Sequence, residues 1–174
     1  MVDFSFNEEQ KLFQNSLQKW CQKELSLEKV REMDSKSEIP GEIIKGLADM
    51  NLLLMTVPQE HGGAEVDWVT ACIAAEELGY ADISIAVPVL FLVEASWGFV
   101  MDKYCSEQVR EEVIYKAIKG DAFIGIASTE SGGGSDVAAI KSTGRKEGND
   151  WILNGEKTYI SGTEEAKKMG GGYF

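Results

Sequence analysis

The sequence predicts an α+β fold in which an all-α helical domain precedes a truncated antiparallel β domain. Apolar side chains recur about every 3.6 residues up to position 120, which is typical of packed amphipathic helices. After Gly120 the pattern changes to short apolar segments separated by glycines, which is typical of strands and turns. We therefore predict two domains, residues 1–120 (helical) and residues 121–174 (an incomplete β domain).

Composition is typical of a soluble globular protein, with 44% hydrophobic and 26% charged residues. The net charge of -12 disfavours a nucleic-acid-binding surface, because such surfaces are basic. No apolar run is long enough to cross a bilayer, and charged residues begin at Glu8, so neither a membrane span nor a signal peptide is expected. These features predict a cytoplasmic protein.

Cysteine and histidine usage predicts no metal site. Cys21, Cys72 and Cys105 are too widely separated for a disulfide framework or a C-x-x-C pair, and we interpret them as free thiols in a reducing compartment. His61 is the single histidine and lies in a glycine-rich turn. We interpret it as a structural or solvent-exposed residue.

The helical domain begins with a capping-box pattern, Asn7 followed by Gln10, and the first helix is expected to fade near Ser26. The segment Leu52–Val57 is apolar and stopped by Pro58, so we predict an extended segment that crosses the core. Further helices are predicted at Leu27–Asp34, from Pro40, at Val66–Tyr80, at Ile83–Met101, and from Ser106 to Lys119–Gly120. The helix at Ile83–Met101 is apolar on nearly every side, which predicts a central position.

The β domain is predicted to contain two strands followed by a hairpin. The strands are Phe123–Ser128 and Ile140–Lys146. The hairpin consists of Trp151–Leu153 and Thr158–Ser161, joined by Asn154-Gly155, a dipeptide that favours tight two-residue turns. Four strands cannot close a barrel or a sandwich, so unpaired edges are expected.

A glycine-rich segment follows the first predicted strand. Gly132, Gly133 and Gly134 are flanked by the hydroxyls of Thr129, Ser131 and Ser135. Such a backbone can approach a flat or anionic ligand closely, and a mobile turn is the alternative interpretation. It lacks the Gly-Lys-Ser/Thr of a P-loop and the spacing of a dinucleotide fingerprint.

Four motifs carry a resemblance to acyl-CoA dehydrogenases. The sequence T-E-S-G-G-G-S-D-V at Thr129–Val137 resembles the family signature T-E-P-G-A-G-S-D-V, and N-G-E-K-T-Y-I-S at Asn154–Ser161 resembles N-G-x-K-x-W-I-T/S. V-P-Q-E-H-G-G at Val57–Gly63 resembles the turn V-P-E-E-Y-G-G, and A-A-E-E-L-G at Ala74–Gly79 resembles the helix A-x-E-E-L. The sequence departs from the pattern at Ser131, where proline is usual, and at Tyr159, where tryptophan is common.

The resemblance implies three family domains, a helical domain, a β domain and a C-terminal four-helix bundle. This sequence contains the first, about half of the second and none of the third. It further implies FAD as the cofactor and a fatty acyl-CoA as the substrate, oxidised across its α and β carbons. An electron-transfer flavoprotein is the implied electron acceptor, and a homo-oligomer, a tetramer or dimer, is the implied assembly. The family's catalytic base is a glutamate of the bundle, so no catalytic residue is assigned in this chain.

Site residues follow from the resemblance by position. Thr129 and its neighbouring amides are expected at the pyrimidine edge of the flavin, and Tyr159 is expected to stack on its ring. Glu94 is either the floor of the acyl-chain cavity, where it limits chain length, or a core carboxyl paired with a neighbour. The implied cofactor-binding residues are Ile126, Ser128, Thr129, Gly134, Ser135, Tyr159, Ile160 and Ser161; the implied substrate-binding residues are Ser135, Leu90, Phe91 and Glu94.

Two other functions stay open at this point. An acyl-CoA oxidase or a related flavin monooxygenase would share the fold but differ in electron acceptor or substrate. A non-catalytic helical interaction module would have kept the fold without the chemistry. In the leading interpretation the 174-residue segment alone is inactive and binds flavin weakly or not at all.

Overall fold

A computed structural model describes residues 5–169 and 171–174. The protein has an α+β fold in which helices form the first two thirds and short strands follow. The helices are α1 (Glu8–Glu24), α2 (Leu27–Lys36), α3 (Gly41–Asp49), α4 (Trp68–Ala81), α5 (Ala86–Tyr104), α6 (Glu107–Val109), α7 (Tyr115–Ile118) and α8 (Thr163–Lys168). The strands are β1 (Phe123–Ile124), β2 (Thr143–Glu147), β3 (Asp150–Asn154) and β4 (Gly172–Tyr173).

Local capping signals explain where the principal helices begin. The Asn7 side chain accepts a hydrogen bond from the Gln10 amide and the Gln10 side chain accepts one from the Asn7 amide, so the predicted capping box is confirmed. Asp67 caps α4 in the same manner, by accepting from the amides of Val69 and Thr70. The helices predicted near these residues are therefore present, with ends shifted by a few residues.

The segment Leu52–Val57 crosses the core as predicted, but it is not extended. All six residues are buried, yet the backbone forms consecutive turns, and Leu54 has a left-handed φ of 52°. The turn places Leu54 against Gly98 of α5, where a Cβ would overlap the leucine side chain. The prediction of an extended segment was wrong because the close packing of Leu54 on α5 selects the turn, and that contact is not visible in the local sequence.

The helix predicted from Ser106 to Gly120 is interrupted by a π-helical turn. Ser106 caps α6, residues Arg110–Ile114 form the π turn, and α7 continues to Ile118. Inside the turn, the Arg110 guanidinium donates to the carboxylate of Asp102 at the end of α5, with Nε 2.9 Å from Oδ1. Gly120 ends the helix with a φ of 73°, as the cation-then-glycine pattern predicts.

The hairpin lies earlier in the sequence than predicted. Strands β2 and β3 pair antiparallel, with Glu147 opposite Asp150, and Gly148-Asn149 forms the two-residue turn. Gly148 has a φ of 63°, which a tight hairpin turn requires at its first central position. Asn154-Gly155 instead ends β3, and Thr158–Ser161 is not a strand. The predicted hairpin was therefore wrong in its turn and in its second arm.

A second, smaller sheet joins the two ends of the β region. Strand β1 pairs parallel with β4, with Phe123 opposite Gly172 and Ile124 opposite Tyr173. Only two residues of the predicted strand Phe123–Ser128 therefore form a strand. Whether residues 1–120 and 121–174 behave as separate domains stays a prediction. Among the residues that the structure describes, none of the helices has the length and apolarity needed to span a membrane.

Candidate functional site

The two motifs that organise the sequence meet in space. The amide of Thr158 donates to the carbonyl of Thr129, with 3.0 Å between nitrogen and oxygen. One residue earlier, the Lys157 ammonium donates to the carbonyl of Ser128 at 3.1 Å. The segment after β3 therefore runs alongside the segment after β1, which brings parts of the two motifs together.

Glu130 is the buried acceptor that holds these segments together. Its carboxylate accepts hydrogen bonds from the amides of Lys141 (2.8 Å) and Ser142 (3.0 Å) and from the Lys157 ammonium (2.9 Å). Hydrogen bonding from Ser142, Lys141 and Lys157 lowers the pKa of Glu130 to about 2. Sequence reasoning assigned no role to Glu130 or Lys157. The only local signals were a glutamate two residues before a glycine run and the lysine of the second motif.

Neither the backbone conformation nor close packing explains why the glycine-rich loop consists of glycines. None of Gly132, Gly133 and Gly134 has a positive φ, so the backbone conformation does not require them. A Cβ built on Gly134 meets nothing within 4 Å, and one built on Gly132 meets only the Lys141 ammonium, at 3.8 Å. Because packing within the described residues leaves this space open, the loop suits close approach of an external group to its amides.

The predicted cofactor-binding side chains are mostly exposed. Ser128, Thr129 and Ser135 are exposed residues, and Ile160 is half-buried. Tyr159 is 91% exposed and has a left-handed φ of 55°, an uncommon conformation for a bulky residue. Strain of this kind is concentrated at ligand-binding and catalytic sites. An exposed ring, open amides and three hydroxyls are donors and surfaces that fit a flat heterocycle such as the flavin of FAD.

Leu90 and Ser161 share one cavity of about 410 Å³ between the start of α5 and the start of α8. Its apolar lining includes Val89, Val93 and Phe123, and also Met33 and Ile39 from the end of α2 and the segment after it. Ile126 lies elsewhere, in a mainly apolar groove of about 470 Å³ formed with Trp97, Met101 and Phe174, among others. The structure thus brings one predicted substrate residue and one predicted cofactor residue together and places Ile126 apart from them.

Phe91 and Glu94 are buried and are not among the residues that line either cavity. Glu94 is 1% exposed, and its Oε1 accepts a hydrogen bond from the amide of Ile124 in β1 at 3.0 Å. Its other oxygen, Oε2, has no hydrogen-bond partner among the described residues. Burial raises the pKa of Glu94 to about 8. The carboxyl therefore connects α5 to β1 and is paired with a backbone neighbour.

Cys105 lines the groove that contains Ile126, whereas Cys21, Cys72 and His61 line neither of the two cavities described above. All three thiols are free, with Cys21 buried, Cys72 exposed and Cys105 partly buried. His61 Nδ1 lies 2.7 Å from Asp102 Oδ1, beside the Arg110 guanidinium. Among the described residues, no group of three or more His, Cys, Asp or Glu side chains is arranged to hold a metal ion.

Two domains of one protein family together match nearly the whole length of the chain. Residues 7–121 match the acyl-CoA dehydrogenase N-terminal domain, and residues 125–170 match the acyl-CoA dehydrogenase middle domain. The chain therefore belongs to the acyl-CoA dehydrogenase family.

Individual relatives agree with the family and show how much of it this chain represents. The mitochondrial short-chain specific acyl-CoA dehydrogenase of Mus musculus is 33% identical over 135 residues, which are 78% of this chain and 32% of that protein. A glutaryl-coenzyme A dehydrogenase in complex with glutaryl-CoA superposes with a TM-score of 0.87 at 27% identity, over 95% of this chain and 42% of its own. The glutaryl-CoA dehydrogenase of Mycobacterium smegmatis in complex with FADH2 gives 0.85 at 25% identity, over 92% and 41%. The chain thus spans about a third of the length of the curated relative.

Proposed function

We propose that this segment is the N-terminal part of an FAD-dependent acyl-CoA dehydrogenase that oxidises acyl-CoA to trans-2-enoyl-CoA. The observation that carries the proposal is the meeting of the two motifs, with Thr158 bonded to Thr129 and the exposed Tyr159 ring next to them. Family membership supports the same reaction class, and solved relatives were obtained with FADH2 and with glutaryl-CoA.

In this proposal the chain's own residues bind and orient. The hydroxyl of Thr129 and the amides of the Gly132–Gly134 loop donate hydrogen bonds to the polar edge of the flavin. Oriented donors of this kind stabilise negative charge that develops on a buried ring. Tyr159 covers one face of the ring, and Ser135 lies toward the thioester of the substrate. FAD itself supplies the acceptor for the hydride that leaves the β carbon.

No residue of this chain removes the α proton in the proposed mechanism. The family's base is a glutamate of the C-terminal bundle, so the segment alone is inactive and holds flavin weakly or not at all. Leu90, Phe91 and Glu94 border the acyl chain in this proposal. The full-length protein is a dimer or tetramer, is cytoplasmic, and passes its electrons to an electron-transfer flavoprotein.

The alternatives in the same fold differ in the electron acceptor. We would purify the full-length protein, measure its mass in solution, and incubate it with a saturated acyl-CoA, with and without an electron-transfer flavoprotein. The proposal predicts an oligomer whose trans-2-enoyl-CoA product, identified by mass spectrometry, depends on the electron-transfer flavoprotein. Equal turnover with oxygen alone, accompanied by hydrogen peroxide, would identify an oxidase. A monomer that carries no flavin and forms no product would identify a non-catalytic interaction module.

A further inference from the structure

The carboxylate of Glu130 accepts hydrogen bonds from three residues in two segments that are distant in sequence. Lys141 and Ser142 precede β2, 11 and 12 residues after Glu130, and Lys157 follows β3, 27 residues after it. The carboxylate is 8% exposed and the Lys157 side chain 26% exposed, so both are partly shielded from water. Charge-assisted hydrogen bonds of this kind are stronger than bonds between neutral groups.

Two features of the site depend on these contacts. The glycine-rich loop lies between residues 130 and 141, so the hydrogen bond from the Lys141 amide to the Glu130 carboxylate holds the two ends of the loop together. Lys157 also donates to the carbonyl of Ser128, and its neighbour Thr158 bonds to Thr129. The position of Tyr159, two residues after Lys157, is therefore fixed relative to the loop.

We propose that Glu130 and Lys157 are positioning residues that set the distance between the glycine-rich loop and the Tyr159–Ser161 segment, the two chain segments that would contact the flavin. The inference rests on the proposed function, because it assigns both segments to the cofactor. The low pKa of Glu130, about 2, supports it, since the carboxylate stays ionised through the physiological range. The same hydrogen bonds anchor the two ends of the loop to each other.

The test uses the full-length protein and measures FAD binding to the apoprotein by quenching of flavin fluorescence. Glu130→Gln and Lys157→Met each remove the ion pair, and we expect each to weaken FAD binding at least about tenfold. The loss of affinity in the double variant should be smaller than the two single losses added together, because both changes remove the same ion pair. Lys167→Met is the matched control, because its ion pair with Glu164 is 71% and 67% exposed and should contribute little.

A second readout needs no cofactor. Hydrogen exchange of the apoprotein should show faster exchange at the amides of Lys141, Ser142 and Thr158 in both variants than in the wild type and in Lys167→Met. Lys157→Arg keeps a cation at this position and should restore most of the FAD affinity. If Glu130→Gln does not fold, Lys157→Met and Lys157→Arg carry the test.

Two results would overturn the inference in distinguishable ways. Wild-type protein that binds FAD, with variants that melt earlier but keep wild-type FAD affinity and amide exchange, would make the pair structural only and leave the proposed function intact. Wild-type protein that binds no FAD, with normal protection of the three amides, would overturn the proposed function and the flavin assignment together.

Discussion

Glu94 combines two properties that a buried carboxyl seldom has together. One oxygen accepts a hydrogen bond from the Ile124 amide, while the other has no partner among the described residues. Burying a charged carboxylate without a counter-ion is costly, so the neutral acid is favoured and the pKa rises to about 8. The stability of the contact between α5 and β1 therefore depends on the pH.

The first prediction concerns the pH dependence of stability and the size of the acyl site. Between pH 4.5, the ordinary pKa of a glutamate, and about pH 8, the folded state keeps the Glu94 proton while the unfolded state loses it. The contribution of Glu94 to the free energy of unfolding is therefore complete below pH 4.5 and falls as the pH rises through that window. Glu94→Gln keeps an acceptor for Ile124 without a charge, so the urea midpoint of this variant should not decline with pH in this way.

Glu94→Ala, which also removes volume, should extend the preferred acyl chain length if the residue is the cavity floor.

Urea unfolding of the full-length protein at pH 5 and pH 8 measures the first effect, and turnover against a series of acyl-CoA lengths measures the second. Glu76→Gln is the control, since Glu76 is exposed on α4. An unchanged chain-length profile in Glu94→Ala would contradict the cavity-floor hypothesis. An identical decline in wild type and Glu94→Gln would contradict the assignment of the proton to Glu94.

At the scale of elements, Gly155, the residue after β3, allows the chain to pack closely against Ser142. A Cβ on Gly155 would lie 2.7 Å from the Ser142 Cα and would overlap the serine side chain. The strand exit therefore passes directly over the residue that bonds to Glu130, and only glycine leaves room for this approach. Gly134 is the opposite case, because a Cβ there meets nothing within 4 Å.

The second prediction compares these two glycines. Gly155→Ala should destabilise the full-length protein by roughly 1–3 kcal/mol through overpacking against Ser142. Gly134→Ala should leave the urea midpoint unchanged or slightly raised, and it should weaken FAD binding, because its methyl group would occupy the space proposed for the cofactor. Equal midpoints for the two variants would contradict the close approach at Gly155. Wild-type FAD affinity in Gly134→Ala would contradict placement of the cofactor at the loop.

At this scale the sequence correctly predicts features that depend on residues close together in the chain. Asn7 with Gln10 and Ser106 each lie within a few residues of the helix start that they cap, so their pattern is readable in one dimension. Asn154-Gly155 was wrongly assigned to a turn, because its glycine is required by a contact with Ser142, 13 residues away. The Glu130–Lys157 pair spans 27 residues and left no periodic signal, so the sequence assigned no role to either side chain although both lie within the motifs.

At the scale of the whole molecule, the β region carries apolar side chains that nothing in the described residues covers. Leu153 is 79% exposed, Trp151 is 62% exposed, and every residue of β2 and β3 is exposed. Leu92 and Tyr104 of α5 are exposed as well. Exposed patches of this kind mark interaction surfaces, and the chain spans about a third of the curated relative. A site bounded by such surfaces is completed by further protein in the proposed enzyme.

The central claim is that this segment belongs to a flavoenzyme that oxidises acyl-CoA. We would titrate the purified full-length protein anaerobically with saturated acyl-CoAs of increasing chain length and follow the visible absorbance of the flavin, with the 174-residue segment as a parallel sample. The account predicts that the full-length protein carries FAD that is bleached by acyl-CoAs of one length range, while the segment carries none. Bound flavin that stays oxidised with every acyl-CoA tested would contradict it.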